Sequence, residues 1–163
     1  MPFHSIRFRD EVVIKDPARI RELIIRTGFF TPAETDIAEE LVQTRLEIGD
    51  KSGYFFILAE KGELLAGYTC FGPIPLTEMS HDLYWIAVHP DFQGEGLGRK
   101  LMEKSEKRIR EAGGTRIYVE TSSRDQYAGT RAFYETLGYR QEAVISDFYR
   151  PGDSKVIYCK VVG

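Results

Sequence analysis

The chain has 163 residues, of which 42% are hydrophobic and 29% are charged, and its formal net charge is −3. This length and composition predict one globular domain that can bury a substantial core. The negative net charge argues against a nucleic-acid partner, because such proteins usually present a broad basic surface. The two cysteines, Cys70 and Cys159, lie in apolar runs without the spacing of a zinc or disulfide framework, which predicts no metal site and favours a reducing compartment.

The first ten residues contain no apolar stretch of the kind found in signal peptides. No apolar run approaches the roughly 20 residues that a bilayer-spanning helix needs. We therefore expect a cytoplasmic protein without a membrane partner.

Hydrophobic residues that alternate with polar ones, or that form short apolar runs, predict seven strands. These strands lie at 5–9, 54–60, 64–71, 82–88, 116–120, 139–146 and 155–161. The second and third of them flank Lys61-Gly62, a pair typical of a hairpin turn.

Four helices are predicted from apolar positions that recur with helical spacing. The first has Asp16 as its N-cap and ends at Gly28, and the second lies between Thr31, which starts a capping box, and Gly49. The others span about 95–112 and from 127 or 128 to 137. The resulting order, β-α-α-β-β-β-α-β-α-β-β, indicates an α/β domain with a mixed sheet.

The most informative segment joins the strand at 82–88 to the third helix. Three glycines stand at alternate positions there, at 94, 96 and 98, and the basic residues Arg99 and Lys100 follow. Glycines allow the backbone to approach a ligand closely, and the start of a helix favours negative charge. The segment therefore predicts a loop that binds a diphosphate.

Two common nucleotide-binding motifs do not match this loop. A Walker loop requires the pattern GxxxxGK[ST], which the chain lacks. A Rossmann turn requires GxGxxG, whereas the third glycine of residues 94–99 comes one place early and the unit follows an antiparallel hairpin.

The spacing Gln93-Gly94-Glu95-Gly96-Leu97-Gly98 resembles motif A of the GNAT superfamily of N-acetyltransferases, which reads Gln/Arg-x-x-Gly-x-Gly/Ala. Residues 132–139, Ala-Phe-Tyr-Glu-Thr-Leu-Gly-Tyr, resemble motif B of the same superfamily. The resemblance covers 5–161 in element order. It implies a single N-acetyltransferase domain over 1–163, with a mixed, mostly antiparallel central sheet of about six to seven strands flanked by four helices.

The resemblance also implies acetyl-CoA as the cosubstrate, without a metal. A primary amine would attack the thioester directly in a ternary complex. The backbone of Ile86, Ala87 and Val88 would hold the pantetheine arm, and the Val88 N–H would donate to the thioester carbonyl. The diphosphate would bind to the segment formed by Gln93, Gly94, Glu95, Gly96, Leu97, Gly98 and Arg99. Tyr127 replaces an asparagine that contacts the arm in many family members, and it is expected to contact the cofactor.

Tyr134 stands at the position of the family's general acid in motif B. A phenol with a pKa of about 10 suits that role, since it remains protonated at neutral pH and can protonate a thiolate. The base is left open between Asp82 and Glu120, each on a predicted strand. The loop positions of Glu78 and His81 make them less favoured alternatives. Since an amine with a pKa of about 10 is mostly protonated at neutral pH, the carboxylate is expected to act through water or with a pKa raised by burial.

The acceptor is left open among a small amine, an amino acid, an antibiotic, and a protein N-terminus or lysine. Two alternatives to an enzyme also remain. One is a non-catalytic sensor module that binds coenzyme A or acetyl-CoA, and the other is an interaction domain with an empty cleft. Edge strands near the C-terminus make a homodimer a further expectation.

Overall fold

The computed structural model describes residues 5–163, and its elements follow the predicted order. The helices are α1 Asp16–Thr27, α2 Pro32–Ile48, α3 Leu97–Glu111 and α4 Ala128–Thr136. The strands are β1 Arg7–Arg9, β2 Phe55–Lys61, β3 Leu64–Pro73, β4 Ser80–Val88, β5 Arg116–Ser122, β6 Arg140–Arg150 and β7 Asp153–Val161. In the described part of the chain, no helix combines the length and apolar character needed to cross a membrane.

The strands form one sheet in the order β1-β2-β3-β4-β5-β7-β6. The pairs β1–β2, β2–β3, β5–β7 and β6–β7 are antiparallel, whereas β4 and β5 run parallel. A mostly antiparallel sheet of seven strands with four helices confirms the predicted fold class.

The chain divides into two compact units. The first comprises the chain through Gly72 together with Trp85–Arg108, and the second comprises Pro73–Tyr84 together with Ile109–Gly163. Strand β4 is therefore shared, with its first five residues in the second unit and its last four in the first. The expectation of one domain over the whole chain stays a prediction.

The first unit has a core built from one face of α1, one face of α2, and residues of β2, β3 and β4. Ile20, Leu23 and Ile24 recur at helical spacing on α1 and are almost fully buried, as are Ala38 and Val42 on α2. Beneath them the sheet contributes Phe56, Leu58, Leu65, Tyr68, Cys70 and Ala87. Burial of this apolar stripe, rather than helix propensity alone, stabilises the two helices.

The two helix starts differ in how well the sequence predicted them. The capping box of α2 is confirmed, since the Glu34 N–H donates to Thr31 Oγ1 at 3.1 Å and the Thr31 N–H donates to Glu34 Oε1 at 3.0 Å. The N-cap of α1 is Lys15 and not Asp16, so that prediction was wrong. Asp16 lies one residue inside the helix, where its carboxylate accepts the Val13 N–H at 2.7 Å.

Asp16 is fully buried, and it forms the centre of an ion network that joins β1, α1 and β2. Arg9 donates to both of its carboxylate oxygens, at 2.6 and 2.8 Å. Arg9 also reaches Glu60 at 3.3 Å, and Arg19 donates to Glu60 at 3.1 Å. A buried carboxylate is tolerated only with such compensation.

We predict that Arg9→Met lowers the free energy of unfolding by about 3–5 kcal/mol, because it removes the two-pronged partner of the buried Asp16 and leaves only the more distant Arg19, at 3.6 Å, as a nearby cation. Chemical denaturation measures the loss. Arg21→Met is the matched control, since Arg21 pairs with Asp36 and Glu39 at 2.8 Å each but keeps 41% of its side chain exposed. The control should leave stability nearly unchanged, because exposed ion pairs contribute little, and equal losses in both variants would contradict the prediction.

Candidate active site

A tightly held turn follows β4 in the first unit. The His89 N–H donates to Ala66 O on β3 at 2.8 Å, and the buried His89 imidazole accepts the Asp91 N–H through Nδ1 at 3.1 Å. The ring also packs edge-on against Phe92, with 5.9 Å between centroids. His89 thus caps the short 3-10 turn Pro90–Phe92, a role that the sequence analysis did not predict.

The glycine segment begins directly after this turn. Gly94 and Gly96 have φ values of 78° and 88°, a region that side chains other than glycine rarely occupy. Residues 93–96 are exposed, whereas Leu97 is fully buried and begins α3, two residues later than predicted. The first N–H groups of a helix have no partner within it, so the segment presents backbone donors beside an exposed loop.

The end of β4 has a defined orientation relative to its neighbour β3. Because the His89 N–H bonds to β3 and successive N–H groups of a strand point to opposite edges, the Val88 N–H lies on the edge away from β3. The Val88 carbonyl lies on that same edge, where it accepts the Gln93 side-chain amide at 2.9 Å. The predicted role of the Val88 N–H, donation to a thioester carbonyl, requires an N–H that points away from β3 in this way.

The second unit contains the parallel pairing of β4 with β5. The ladder joins Ser80, His81 and Asp82 to Arg116, Ile117 and Tyr118. Among the residues of this unit, all of which the structure describes, the ladder ends at the Asp82–Tyr118 pair although both strands continue. Asp82 therefore stands at the point where regular pairing of these strands stops.

Asp82 is partly buried, and its pKa is raised to about 6. The largest cause is loss of solvent around the carboxylate, the next is repulsion from Glu120, and attraction to Lys155 opposes both. Glu120, the other predicted base, forms an ion pair with Lys155 at 2.9 Å. A carboxylate that titrates near pH 6 is mostly ionised at neutral pH and still binds a proton well, which suits a general base.

His81 occupies a different environment from the one expected of a loop residue. It lies within β4 and is 8% exposed, and strand alternation places it on the face opposite Asp82. Burial lowers the pKa of its imidazole. A Cβ added at Gly114 would lie 2.6 Å from its Nδ1, so His81 is enclosed by packing.

Tyr134 is the buried residue of α4, with 6% of its surface exposed. Its ring lies 5.8 Å from that of Tyr139 and 6.2 Å from that of Tyr158, measured between centroids. Burial raises the pKa of its phenol, so the hydroxyl is protonated at neutral pH. At neutral pH the Tyr134 hydroxyl therefore carries a proton that it can donate.

The residues before α4 form a braced loop. Arg131 donates to Ser122 O at 2.7 Å and to Arg124 O at 2.9 Å. The Arg124 guanidinium lies over the Tyr127 ring, 5.5 Å from its centroid. Tyr127 is the N-cap residue of α4 and is partly exposed. Arg131 therefore holds this loop against α4.

The predicted residues thus form two groups. Residues 86–88 and 93–99 gather at the end of β4 and the start of α3 in the first unit. Asp82 and Glu120 meet Lys155 in the second unit, which also contains Tyr127 and Tyr134. Within residues 5–163, no group of three or more His, Cys, Asp or Glu side chains is arranged to hold a metal ion.

Comparison with known families gives a match over most of the chain. A model of the acetyltransferase (GNAT) family matches residues 19–139. A crystal structure of a GNAT-family protein from Desulfovibrio desulfuricans is 45% identical, with a TM-score of 0.96, and the alignment covers 98% of this chain and 100% of that one. The acetyl-CoA complex of yncA from Salmonella typhimurium shares the fold, with a TM-score of 0.74 at 20% identity over 98% of this chain and 95% of that one.

Two curated relatives come from Escherichia coli K12. The [ribosomal protein bS18]-alanine N-acetyltransferase is 33% identical over 73 residues, which cover 45% of this chain and 48% of the relative. This chain therefore spans about half the length of that relative. The L-amino acid N-acyltransferase MnaT is 29% identical over 143 residues, which cover 83% of this chain and 78% of the relative.

We predict that Asp82→Asn raises the melting temperature at neutral pH and that the gain disappears below pH ~4. The raised folded pKa, about 6, means that the folded state retains a proton that the unfolded state, with a pKa of about 3.9, releases. Its stabilising effect is present below the unfolded pKa and is lost as the pH rises through the folded one. Thermal melts across this range measure the difference. Asp125→Asn, at an exposed aspartate, is the control, and a gain that does not vary with pH would contradict the prediction.

Proposed function

The chain belongs to the GNAT acetyltransferase family, and on this premise we propose that it transfers an acetyl group from acetyl-CoA to the α-amine of an amino acid or of the first residue of a peptide. The observation that carries the proposal is Asp82, a partly buried carboxylate with a pKa of about 6 at the end of the β4–β5 ladder. A folded chain retains such a carboxylate at a cost in stability, which is typical of functional sites.

The names of the two curated relatives support the choice of acceptor. One names an alanine of ribosomal protein bS18 and the other names L-amino acids. The only nitrogen of an alanine residue is its α-nitrogen, which is a free amine only at the start of a chain. Both names therefore point to an amine on an α-carbon, and we propose the same class for this chain.

We assign the proton transfers to two side chains. Asp82 removes a proton from the acceptor ammonium, and the neutral amine nitrogen then attacks the thioester carbonyl carbon. As the carbon–sulfur bond breaks, Tyr134 gives its phenolic proton to the departing sulfur, and the amine's second proton leaves to solvent. Tyr134 then regains a proton from solvent and Asp82 releases its proton to solvent, so that one proton is released per turnover. The products are an amide and a thiol, and because the amine attacks the thioester directly, this proposal involves no covalent intermediate on the chain.

Backbone groups supply the remaining functions in this proposal. The Val88 N–H, on the edge of β4 away from β3, donates to the thioester oxygen as negative charge develops there. The amides of residues 93–99 bind the diphosphate, with Arg99 exposed beside them and Tyr127 against the pantetheine arm. The yncA structure contains acetyl-CoA in the same fold, which supports acetyl-CoA as the cosubstrate in this proposal.

We predict that Tyr134→Phe and Asp82→Asn each lower kcat by about 10²- to 10⁴-fold, because each removes a group that moves a proton in the transition state. Release of thiol from acetyl-CoA measures turnover with free L-amino acids and with a peptide that begins with alanine. A peptide acetylated at its start and an aminoglycoside serve as comparison acceptors. Acetyl-CoA should still raise the melting temperature of both variants.

The matched control is Tyr158→Phe. Its ring lies in the same cluster as that of Tyr134, and its hydroxyl donates to Glu135 at 2.9 Å. This variant should retain turnover within about threefold while losing about 1 kcal/mol of stability. If acetyl-CoA stabilises the wild type but no amine is acetylated, the sensor module is the better description. If acetyl-CoA does not bind, an interaction domain with an empty cleft is the better description of the chain.

We also propose a homodimer in which two copies pair through β6. This strand is at the edge of the sheet and every one of its 11 residues is exposed. The exposed apolar side chains are Val144, Ile145, Phe148 and Tyr149, at 43–50%. An edge strand with this character offers unpaired backbone groups to another strand, and a second copy supplies an equivalent one.

We predict that Val144→Arg converts a dimer into a monomer, because it places a charge in an apolar contact between edge strands. Light scattering coupled to size-exclusion chromatography measures the mass. Ile48→Arg is the control, since Ile48 is similarly exposed, at 53%, but lies on α2. A wild type that is monomeric at every concentration would overturn this proposal.

A further inference from the structure

The ammonium group of Lys155 is held in an enclosed position in the second unit. Only 14% of its side chain is exposed. Its Nζ lies 2.9 Å from Glu120 Oε2 and 3.7 Å from the centroid of the Phe148 ring. An ammonium removed from water requires compensation of this kind, and a carboxylate together with an aromatic face supplies it.

The register of the sheet places this cation on the same face as Asp82. Asp82 is opposite Tyr118 on β5, and Lys155 on β7 is opposite Ser122. Glu120 lies between these two β5 positions, and residues two apart on a strand share a face. Asp82, Glu120 and Lys155 are therefore consecutive members of one charged row across three strands.

The aromatic side of the Lys155 site depends on an irregularity in β6. The register of β6 against β7 shifts between Ile145 and Arg150, and Asp147 has a φ of 54°. Asp147 is held there because its carboxylate accepts the Gly152 N–H at 2.8 Å. Bulges of this kind redirect side chains, and here the result is that Phe148 covers Lys155.

Within this unit the groups that face Asp82 are few. Tyr118 and Glu120 face it from β5, and Lys155 faces it from β7. The charge of Glu120 disfavours a second negative charge at Asp82, whereas the charge of Lys155 favours it. The two effects oppose each other, so the balance depends on keeping Lys155 in place.

We propose that Lys155, fixed by Phe148, and Glu120 act as a positioning pair that sets how readily Asp82 accepts the proton of the acceptor amine. This inference rests on the proposed function because it takes Asp82 as the base. It assigns Glu120 to the support of Asp82 rather than to proton transfer from the acceptor. Neither Lys155 nor Phe148 touches the reacting atoms in this proposal.

The test is a direct titration of the Asp82 carboxyl by carbon NMR in this 163-residue chain, with Asp82→Asn identifying the signal. Lys155→Met should raise the titration midpoint by about half to one pH unit, because the repulsion of Glu120 then acts without opposition. Glu120→Gln should lower the midpoint by a similar amount. The double variant should titrate close to the wild type, since the two opposing charges are removed together.

Three further variants separate this electrostatic role from a structural one. Lys155→Arg keeps the charge and should restore the wild-type midpoint. Phe148→Leu should raise the midpoint less than Lys155→Met does, because it releases the lysine without removing it. Lys160→Met, on the same strand β7, is the matched control and should leave the midpoint unchanged.

Activity measurements then distinguish failure of this inference from failure of the proposed function. The acidic limb of the pH profile of kcat/KM should move in the same direction as the Asp82 midpoint in each variant. Midpoints that shift as expected in a chain that acetylates no amine would support the inference on charge and overturn the function. An active enzyme whose two single variants shift the midpoint in the same direction, or not at all, would overturn the inference. If Lys155→Met does not fold, Glu120→Gln alone decides, since it must lower the midpoint.

Discussion

The parallel pairing between β4 and β5, which ends at Asp82 and Tyr118, is the constraint on which the candidate chemistry depends. A fully buried carboxylate would be costly to ionise, and one on a surface loop would be fully hydrated. At the end of the ladder, Asp82 loses part of its solvent and remains close to other charged groups. That intermediate burial gives it a pKa near the working range of a general base.

The candidate residues of the first unit depend on backbone geometry, whereas those of the second depend on side chains. Near the glycine segment, positive φ values at Gly94 and Gly96 and the orientation of Val88 decide which N–H groups face outward. These backbone conformations depend little on which side chains the other residues of the segment carry. In the second unit the properties of Asp82 depend on the identity of Glu120 and Lys155, so a single substitution alters them.

This difference explains which parts of the site the sequence could predict. Glycines at alternate positions indicate a backbone conformation directly, so the residue types at 93–98 are enough to locate the loop. Lys155 could not be found in this way, because it lies 35 positions from Glu120 in the chain and only the β5–β7 register brings them together. His89 was missed for a related reason, since its capping bond depends on the conformation of the turn that it stabilises.

The fold itself was more predictable because its strongest signals are local. Helical spacing of apolar residues in α1 and the capping box of α2 both depend on residues within a few positions of one another. Asp16 is the instructive exception. Its sequence context is that of an N-cap, yet the carboxylate that would cap the helix instead binds Arg9, which is on another element. A buried guanidinium is a stronger partner for a carboxylate than a backbone amide, so Asp16 forms the tertiary ion pair, and the N-cap residue Lys15 makes no side-chain capping bond.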